Sequence, residues 1–298
     1  MMPVRSILAA VDFSEPSRVA LEFAARLANQ HGATLHVLHA QDPLLAAAAQ
    51  SEGIDLVHET RDELGRFTAA GVAVERSRLH HHVVTGRGTV TICDLATREG
   101  VDVIVLGMHG MSGAARILFG STTQGVLQQS AVPVFVIPDT WTAPQPRTRD
   151  LSGVGPVLVA VECTGPGLAA AAAASQLART LHTPVGAIHV VEQLTVLDRW
   201  SGHAQAAMDL AVSHNRKEIE TALAGLKTPT PIPLRIETGS VAEHIAHAAA
   251  PQQGEHPILV LGRHARGSRR GVPGATAYRV LGMTQVPVLM HCVPEESV

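Results

Sequence analysis

The chain repeats itself over a long period. An apolar run at residues 7–11 ends at Asp12, and a run of the same shape at residues 157–161 ends at Glu162, 150 residues later. Further along, the apolar run that ends at Gly107 matches one that ends at Gly262, with the offset grown to 155 residues. Solenoid repeats have far shorter periods, so the repeat indicates a duplicated domain.

Within each half, apolar strand patterns alternate with helical patterns. In the first half the pattern predicts strands at about 5–11, 34–40, 74–84, 101–107 and 132–137, with helices at about 14–31, 44–70, 90–98 and 121–129. This alternation predicts an α/β fold with right-handed crossovers and a parallel, doubly wound sheet. Ligands of such sheets bind at the carboxyl ends of the strands, so we expect a site after strands 1, 2 and 4.

The two copies are separated by a segment rich in Pro and Gly. Residues 138–156 include six such residues, at positions 138, 144, 146, 153, 155 and 156, together with several polar ones. This composition is typical of a linker. We therefore expect one domain at 1–140, a linker at 141–156 and a second domain at 157–298.

Composition excludes several classes of protein. Hydrophobic residues make up 46% of the chain and charged residues 16%, which excludes a disordered, charge-rich tail. The net charge of −3 gives no general attraction to nucleic acid or to an anionic membrane. Three scattered cysteines form no C-x-x-C pair, and no apolar run has the length of a membrane span. We expect a cytoplasmic protein.

The loop after the fourth strand has the richest pattern. Gly107 and Gly110 are followed by Gly120 and Ser121 at the start of a predicted helix. Glycine lets a backbone approach an anion closely, and the free N–H groups at a helix N-terminus can donate to phosphate. Each glycine taken singly is also explained by an ordinary turn. The loop lacks the Gly-Lys-Ser/Thr of a Walker A motif, and residues 86–91 lack the third glycine of a dinucleotide fingerprint.

The pattern G-x-x-G-x9-G-S in this loop resembles the ATP-binding signature of universal stress proteins. Asp12, after the first strand, and the Val-Pro-Val runs near the end of each half are similar to that family as well. The resemblance covers nearly the whole chain as two tandem copies. It implies a five-stranded, Rossmann-like parallel α/β fold in each half. It also implies ATP or another adenine nucleotide in the first half, with accompanying Mg²⁺ left open.

The resemblance also implies roles for particular residues. Asp12 would bond the adenine or ribose edge, the small side chains of two alanines would leave room for the base, and the glycines and hydroxyls of the loop would hold ribose and phosphates. Arg116, within the loop, either supplies charge or lies in solvent. The implied nucleotide-binding residues are Ala10, Asp12, Ala40, Gly107, Gly110, Gly120, Ser121 and Thr122.

The second copy departs from this pattern. Glu162 stands in place of Asp12, Gly262 is retained, and we align Ala265 and Ala275 with the second and third glycines. These changes predict weaker or absent nucleotide binding there. Arginines at 263, 266, 269 and 270 either form an anion site or belong to a solvated basic loop.

Histidines provide other candidates. On a strand, His80 and His82 share a face and His81 opposes them, but two ligands without a partner motif do not make a metal site, so we expect none. His244 and a second histidine three residues later indicate a solvated helical face. His39 and its counterpart at position 189 either face the nucleotide cleft or bond locally beside it.

The sequence thus favours a nucleotide-binding regulator over an enzyme. No G-x-S-x-G elbow and no base for phosphoryl transfer follows any strand, so we expect no catalytic residues and at most slow ATP hydrolysis. The alternatives are a nucleotide-free interaction scaffold and an ATP-hydrolysing or nucleotidyl-transferring enzyme. Protein partners stay unidentified. A homodimer through residues 132–137 or 286–291 is plausible from the resemblance, unless the two copies already pair those strands.

Overall fold

The fold alternates strands and helices through both halves of the chain. The computed structural model describes residues 4–70, 73–109, 120–192, 201–264 and 274–293. The first half contains β1 Ser6–Ala10, α1 Glu15–His31, β2 Thr34–Gln41, α2 Pro43–Ser51, α3 Leu56–Ala69, a 3₁₀ turn Arg76–Arg78, β3 Leu79–Thr85, α4 Gly88–Arg98, β4 Val103–Gly107, α5 Ser121–Gln129 and β5 Val134–Ile137.

The second half repeats this order with fewer elements. It contains β6 Val157–Ala160, α6 Gly165–Leu181, β7 Val185–Glu192, α7 Ser201–Gly225, β8 Leu234–Gly239, α8 Val241–Ala248, β9 Ile258–His264, α9 Ala275–Met283 and β10 Val288–Val293. Among the described residues, no helix is both long and apolar enough to cross a membrane.

All ten strands form one continuous sheet. Their order is β3-β2-β1-β4-β5-β10-β9-β6-β7-β8, and every neighbouring pair is parallel except β5 and β10, which pair antiparallel. The strands of the two halves therefore run in opposite directions, and their carboxyl ends lie at opposite edges of the sheet. Since β5 and β10 pair with each other, neither is free to form the strand-to-strand homodimer considered from the sequence.

Helices cover both faces of the sheet, which explains the apolar character of the strands. All five residues of β4 are buried, as expected for a parallel strand covered on both sides. Buried residues of α1, α3, α6 and α7 pack on one face, and those of α4, α5, α8 and α9 pack on the other. The short helix α2 has no buried residue.

The helix after the first strand begins and ends where the sequence predicts. Ser14 caps α1 by accepting a hydrogen bond from the Ser17 N–H, and Gly32 ends the helix with a φ of 65°. In the second half Thr164 caps α6 in the same manner. The predicted helical region 44–70 is instead two helices, because the chain turns at Gly53 with a φ of 74°.

The segment between the halves is docked rather than free. Trp141 is buried and packs edge-on against Phe23 of α1, with ring centroids 5.2 Å apart. Arg26 of α1 binds the segment through its guanidinium and also pairs with Glu22 at 3.0 Å. The guanidinium donates to the carbonyl oxygens of Gln145, Pro146, Thr148 and Asp150 at 2.7–3.4 Å. The linker therefore contributes to the core, and its boundaries at 141–156 stay a prediction.

Candidate functional site

A cavity of about 580 Å³ opens at the carboxyl ends of the first-half strands. It lies between the neighbouring strands β1 and β4, on either side of which the strand order continues in opposite directions across the sheet. This is the binding position expected for a doubly wound sheet. Seven of the eight residues predicted to bind nucleotide line it, namely Ala10, Asp12, Ala40, Gly107, Gly120, Ser121 and Thr122. Gly110 and Arg116 lie outside the described residues.

Asp12 lies at the mouth of this cavity in a turn that it helps to build. Its Oδ1 accepts hydrogen bonds from the N–H of Ser14, at 3.1 Å, and from the Ser14 hydroxyl. The Asp12 N–H donates to the Ser17 hydroxyl at 3.3 Å. These bonds hold the carboxylate at the start of α1. A carboxylate accepts hydrogen bonds only, so this position suits a ligand with amino or hydroxyl donors.

The N-termini of two helices converge on the same cavity. Helix α5 begins after Gly120, whose N–H donates to the Met108 carbonyl at 3.0 Å, and no side chain of the described residues caps its first turn. Helix α4 begins at Gly88, also without a side-chain cap, and Gly88 lines the cavity. Uncapped N–H groups and the positive end of the helix dipole favour an anion at such a position.

The α5 helix is fixed to the end of β4 by a buried hydroxyl. Thr123 is 5% exposed, and its Oγ1 donates to the Gly107 carbonyl at 2.9 Å. This bond sets the first turn of α5 against the strand end. The exposed side chains of Ser121 and Thr122 lie in this first turn, so the same bond positions them at the cavity.

Gly107 has a packing reason beside its place in the cavity. A Cβ at this position would lie 2.9 Å from the carbonyl oxygen of Pro16, at the start of α1. At Gly262, in the second half, a Cβ would overlap the carbonyl oxygen of Pro166 in α6. The close approach of helix and strand therefore explains why this glycine occurs in both copies, whether or not a ligand is bound.

The second half has its own cavity of about 410 Å³ at the opposite edge of the sheet. Val241 lines it at the position where Gly88 begins the equivalent first-half helix, and Val190 replaces Ala40. Ala277 replaces Thr123 and so removes the hydroxyl that ties α5 to its strand. The described lining of the second cavity offers fewer side-chain hydroxyls than that of the first.

One part of the sequence alignment between the copies is wrong. Gly274 is the N-cap of α9 with φ −57° and ψ 155°, as Gly120 is the N-cap of α5 with φ −61° and ψ 142°. The third glycine is therefore retained as Gly274, and Ala275 matches Ser121. The segment from the strand-end glycine to the N-cap glycine is one residue shorter in the second half. Counting from Gly262 with the first-half spacing therefore placed Ala275, rather than Gly274, at the position of Gly120. Ala265 lies outside the described residues.

The cavity contains residues that sequence reasoning missed. Ser17, Asp42, Gly88 and His109 also line it. Asp42 follows β2 as Asp12 follows β1, and it caps α2 by accepting from the N–H of Leu44 at 2.7 Å. The sequence pattern of an acidic residue after each of two adjacent strands could therefore have identified Asp42.

The histidine-rich strand behaves as the alternation of faces predicts. His80 and His82 both stack on His36 of β2, and His36 Nδ1 lies 3.0 Å from His82 Nε2. His81, on the other face, lies 3.0 Å from the Thr68 hydroxyl. Burial lowers the pKa of His36, His81 and His82, which favours neutral rings. The described residues contain no group of three side chains suited to a metal.

The paired histidines at the ends of β2 and β7 bond locally. The Nδ1–H of His39 donates to the Val11 carbonyl at 3.0 Å, and that of His189 donates to the Val161 carbonyl at 2.8 Å. Each bond ties the second strand of its half to the end of the first. His189 also lines the second cavity. The predicted helical pair includes His244, whose Nδ1–H donates to the Ser240 carbonyl at 2.9 Å.

Comparison with known proteins agrees with the duplicated fold. The family model for the Universal stress protein family matches residues 3–138 and again residues 153–291. Universal stress protein YxiE of Bacillus subtilis is 27% identical over 146 residues, which cover 44% of this chain and 97% of that protein.

Longer relatives match both halves together. Universal stress protein Rv2623 of Mycobacterium tuberculosis is 24% identical over 300 residues, which cover 95% of each chain. The crystal structure of a universal stress protein from Archaeoglobus fulgidus shares the fold, with a TM-score of 0.58 at 18% identity, over 96% of each chain. The chain belongs to the universal stress protein family, as two tandem copies of its fold.

Proposed function

We propose that the first-half cavity binds an adenine nucleotide, ATP in the first instance. The observation that carries this proposal is the convergence of carboxylates and uncapped helix N-termini on one cavity of about 580 Å³. The cavity is large enough for a ligand of nucleotide size, since small-molecule sites commonly span about 300–1,000 Å³.

The chemistry of the lining separates into two parts. Asp12 and Asp42 follow β1 and β2, where they would accept hydrogen bonds from the amino and hydroxyl groups of the nucleoside. Gly88 begins α4, and Ser121 begins α5 beside Thr122; there the N–H groups and hydroxyls would hold phosphate. The described residues form no metal cluster of their own, so we propose that any Mg²⁺ enters with the phosphates.

Nucleotide occupancy would serve regulation in the stress response rather than rapid catalysis. The described groups proposed to hold phosphate are backbone N–H groups and hydroxyls, and these groups bind an anion without acting as a base. Bound ATP would favour the conformation that it binds more tightly and so alter contacts with protein partners. We further propose that the chain consists of two domains joined at 141–156. We propose a cytoplasmic location because its three cysteines form no disulfide.

Calorimetric titration of ATP into matched variants tests the proposal. Asp12→Ala removes the carboxylate, and Gly120→Val places a side chain at the start of α5; each should weaken ATP binding at least about tenfold. The matched second-half variants, Glu162→Ala and Gly274→Val, should leave ATP affinity unchanged. A Cβ at Gly274 meets no atom within 4 Å, so this control should fold. Unchanged affinity in both first-half variants would sink the site assignment.

A further inference from the structure

The second cavity is bordered by a buried arginine without a counterpart in the first half. Arg263 follows Gly262 directly, where the first half has Met108 after Gly107. Its side chain is 2% exposed, and Arg263 lines the second cavity. The Nη2 group donates to the carbonyl oxygens of Ser130 and Val132, each at 3.0 Å, and so reaches the loop between α5 and β5.

The charge of this arginine is poorly compensated. Its Nε and Nη1 are buried and have no hydrogen-bond partner among the described residues. In the same part of the chain, the titratable groups that act on it are those of Cys292, Tyr278 and Cys93, and none is a carboxylate. Burial lowers the pKa of the Arg263 guanidinium, which reflects the cost of holding its charge away from water. An ion in a protein interior is destabilising unless an opposite charge lies nearby.

The rest of the cavity is mainly apolar. Aliphatic side chains from β6, β7, β9, α8 and α9 line it, and the hydroxyl of Ser121 in the first half is replaced by Ala275. Val241 occupies space that Gly88 leaves open. The cavity thus offers apolar volume and the N-terminus of α9, with fewer donors for a chain of phosphates.

The remaining polar groups of the lining limit the ligand's charge. Glu162 contributes a carboxylate at the exposed mouth of the cavity, which disfavours a ligand with several negative charges. His189 is held by two bonds, since its Nδ1–H donates to Val161 and its Nε2 accepts from the Asn215 amide at 3.1 Å. Thr164 and Thr276 supply two hydroxyls, and that of Thr164 already accepts from the Gly167 N–H at 3.3 Å.

We propose that the second cavity binds an apolar molecule carrying a single carboxylate, whose charge compensates the buried guanidinium of Arg263. Two independent observations carry this proposal: the apolar cavity itself, and the buried donors of an arginine that lines it. The ligand class differs from the nucleotide proposed for the first half. The two halves would then bind different molecules at opposite edges of one sheet.

Titration calorimetry with octanoate, an eight-carbon carboxylate, tests this in the full-length chain. We expect about one octanoate per chain, and at least about tenfold weaker binding of octanol, which has a similar apolar chain but no charge. Arg263→Met, which installs the first-half residue, should weaken octanoate at least about tenfold and leave octanol and ATP binding unchanged. Ala277→Phe, at a half-buried position of the lining, should weaken both octanoate and octanol by obstructing the cavity.

Each contrary outcome is distinct. Absence of octanoate binding, or octanoate binding that Arg263→Met does not change, would overturn the proposal. Inorganic phosphate that binds with the same dependence on Arg263 would assign the site to phosphate instead. Loss of thermal stability in Arg263→Met without any change in octanoate binding would leave the arginine a purely structural clamp. ATP that displaces octanoate would make the second cavity a nucleotide site.

Discussion

Gly88→Val would give the first cavity the residue that the second cavity has at the start of the equivalent helix. A Cβ at Gly88 would lie 3.2 Å from both Cγ2 and Oγ1 of Thr122, so a side chain there enters the space between the N-termini of α4 and α5. The second half carries Val241 at the same helix position, and α8 forms normally there. Gly88→Val should therefore fold while narrowing the proposed phosphate end.

The size of the effect follows from overpacking. Inserting methyl groups into an occupied space costs about 1–3 kcal/mol, so ATP affinity should fall about 5- to 150-fold. The free energy of unfolding without nucleotide should stay within about 1 kcal/mol of wild type, since Thr122 is exposed and can shift. Calorimetry gives the affinity, and denaturant unfolding gives the stability.

The reciprocal substitution is the control. Val241→Gly opens the second cavity without restoring the hydroxyls of Ser121 and Thr123, so ATP affinity and stoichiometry should not change. Wild-type ATP affinity in Gly88→Val would refute the reasoning, because phosphate would then not lie between the two helix N-termini. Equal losses in both variants would point to an effect transmitted through the sheet rather than to contact.

Three further predictions concern stability. Arg26→Ala should lower the free energy of unfolding by about 2–4 kcal/mol and expose the linker to protease, whereas the exposed Arg149→Ala should change it by less than about 0.5 kcal/mol. Burial lowers the pKa of His291 from 6.5 to about 4, so the unfolded chain binds a proton first on acidification. Wild type should therefore lose about 2 kcal/mol more stability than His291→Gln between pH 7 and pH 5, and equal losses would contradict the assignment. Gly262→Ala should cost about 1–3 kcal/mol in urea unfolding through overlap with α6, while Gly274→Ala, in open space, should cost less than about 1 kcal/mol, through the loss of a favourable N-cap residue.

Local patterns were enough to predict most of the first half. The cap at Ser14 and the apolar spacing after it placed α1 correctly, and the acidic residue after β1 was correctly placed at a cavity. These predictions succeed because caps, strand runs and strand-end positions depend on neighbours in sequence. Asp42 was missed although it obeys the same rule, because an Asp directly before Pro43 is equally explained as the N-cap of the next helix.

Long-range contacts were beyond the sequence. Nothing local to β5 indicates that it pairs antiparallel with β10, because both strands read as ordinary buried runs. The docking of the linker depends on Arg26, which reads on α1 as one more surface charge. Arg263 was interpreted as part of either an anion site or a solvated basic loop, and only its neighbours on β10 and at the α5–β5 loop reveal that it is buried.

The stoichiometry of ATP binding to the full-length chain tests the central claim most directly. The described lining of the first cavity has two carboxylates and four side-chain hydroxyls, and that of the second has one carboxylate and two hydroxyls. Calorimetric titration should give about one ATP per chain, lost in Asp12→Ala and retained in Glu162→Ala. Two equal sites, or a single site that Glu162→Ala abolishes, would contradict the division of function between the halves.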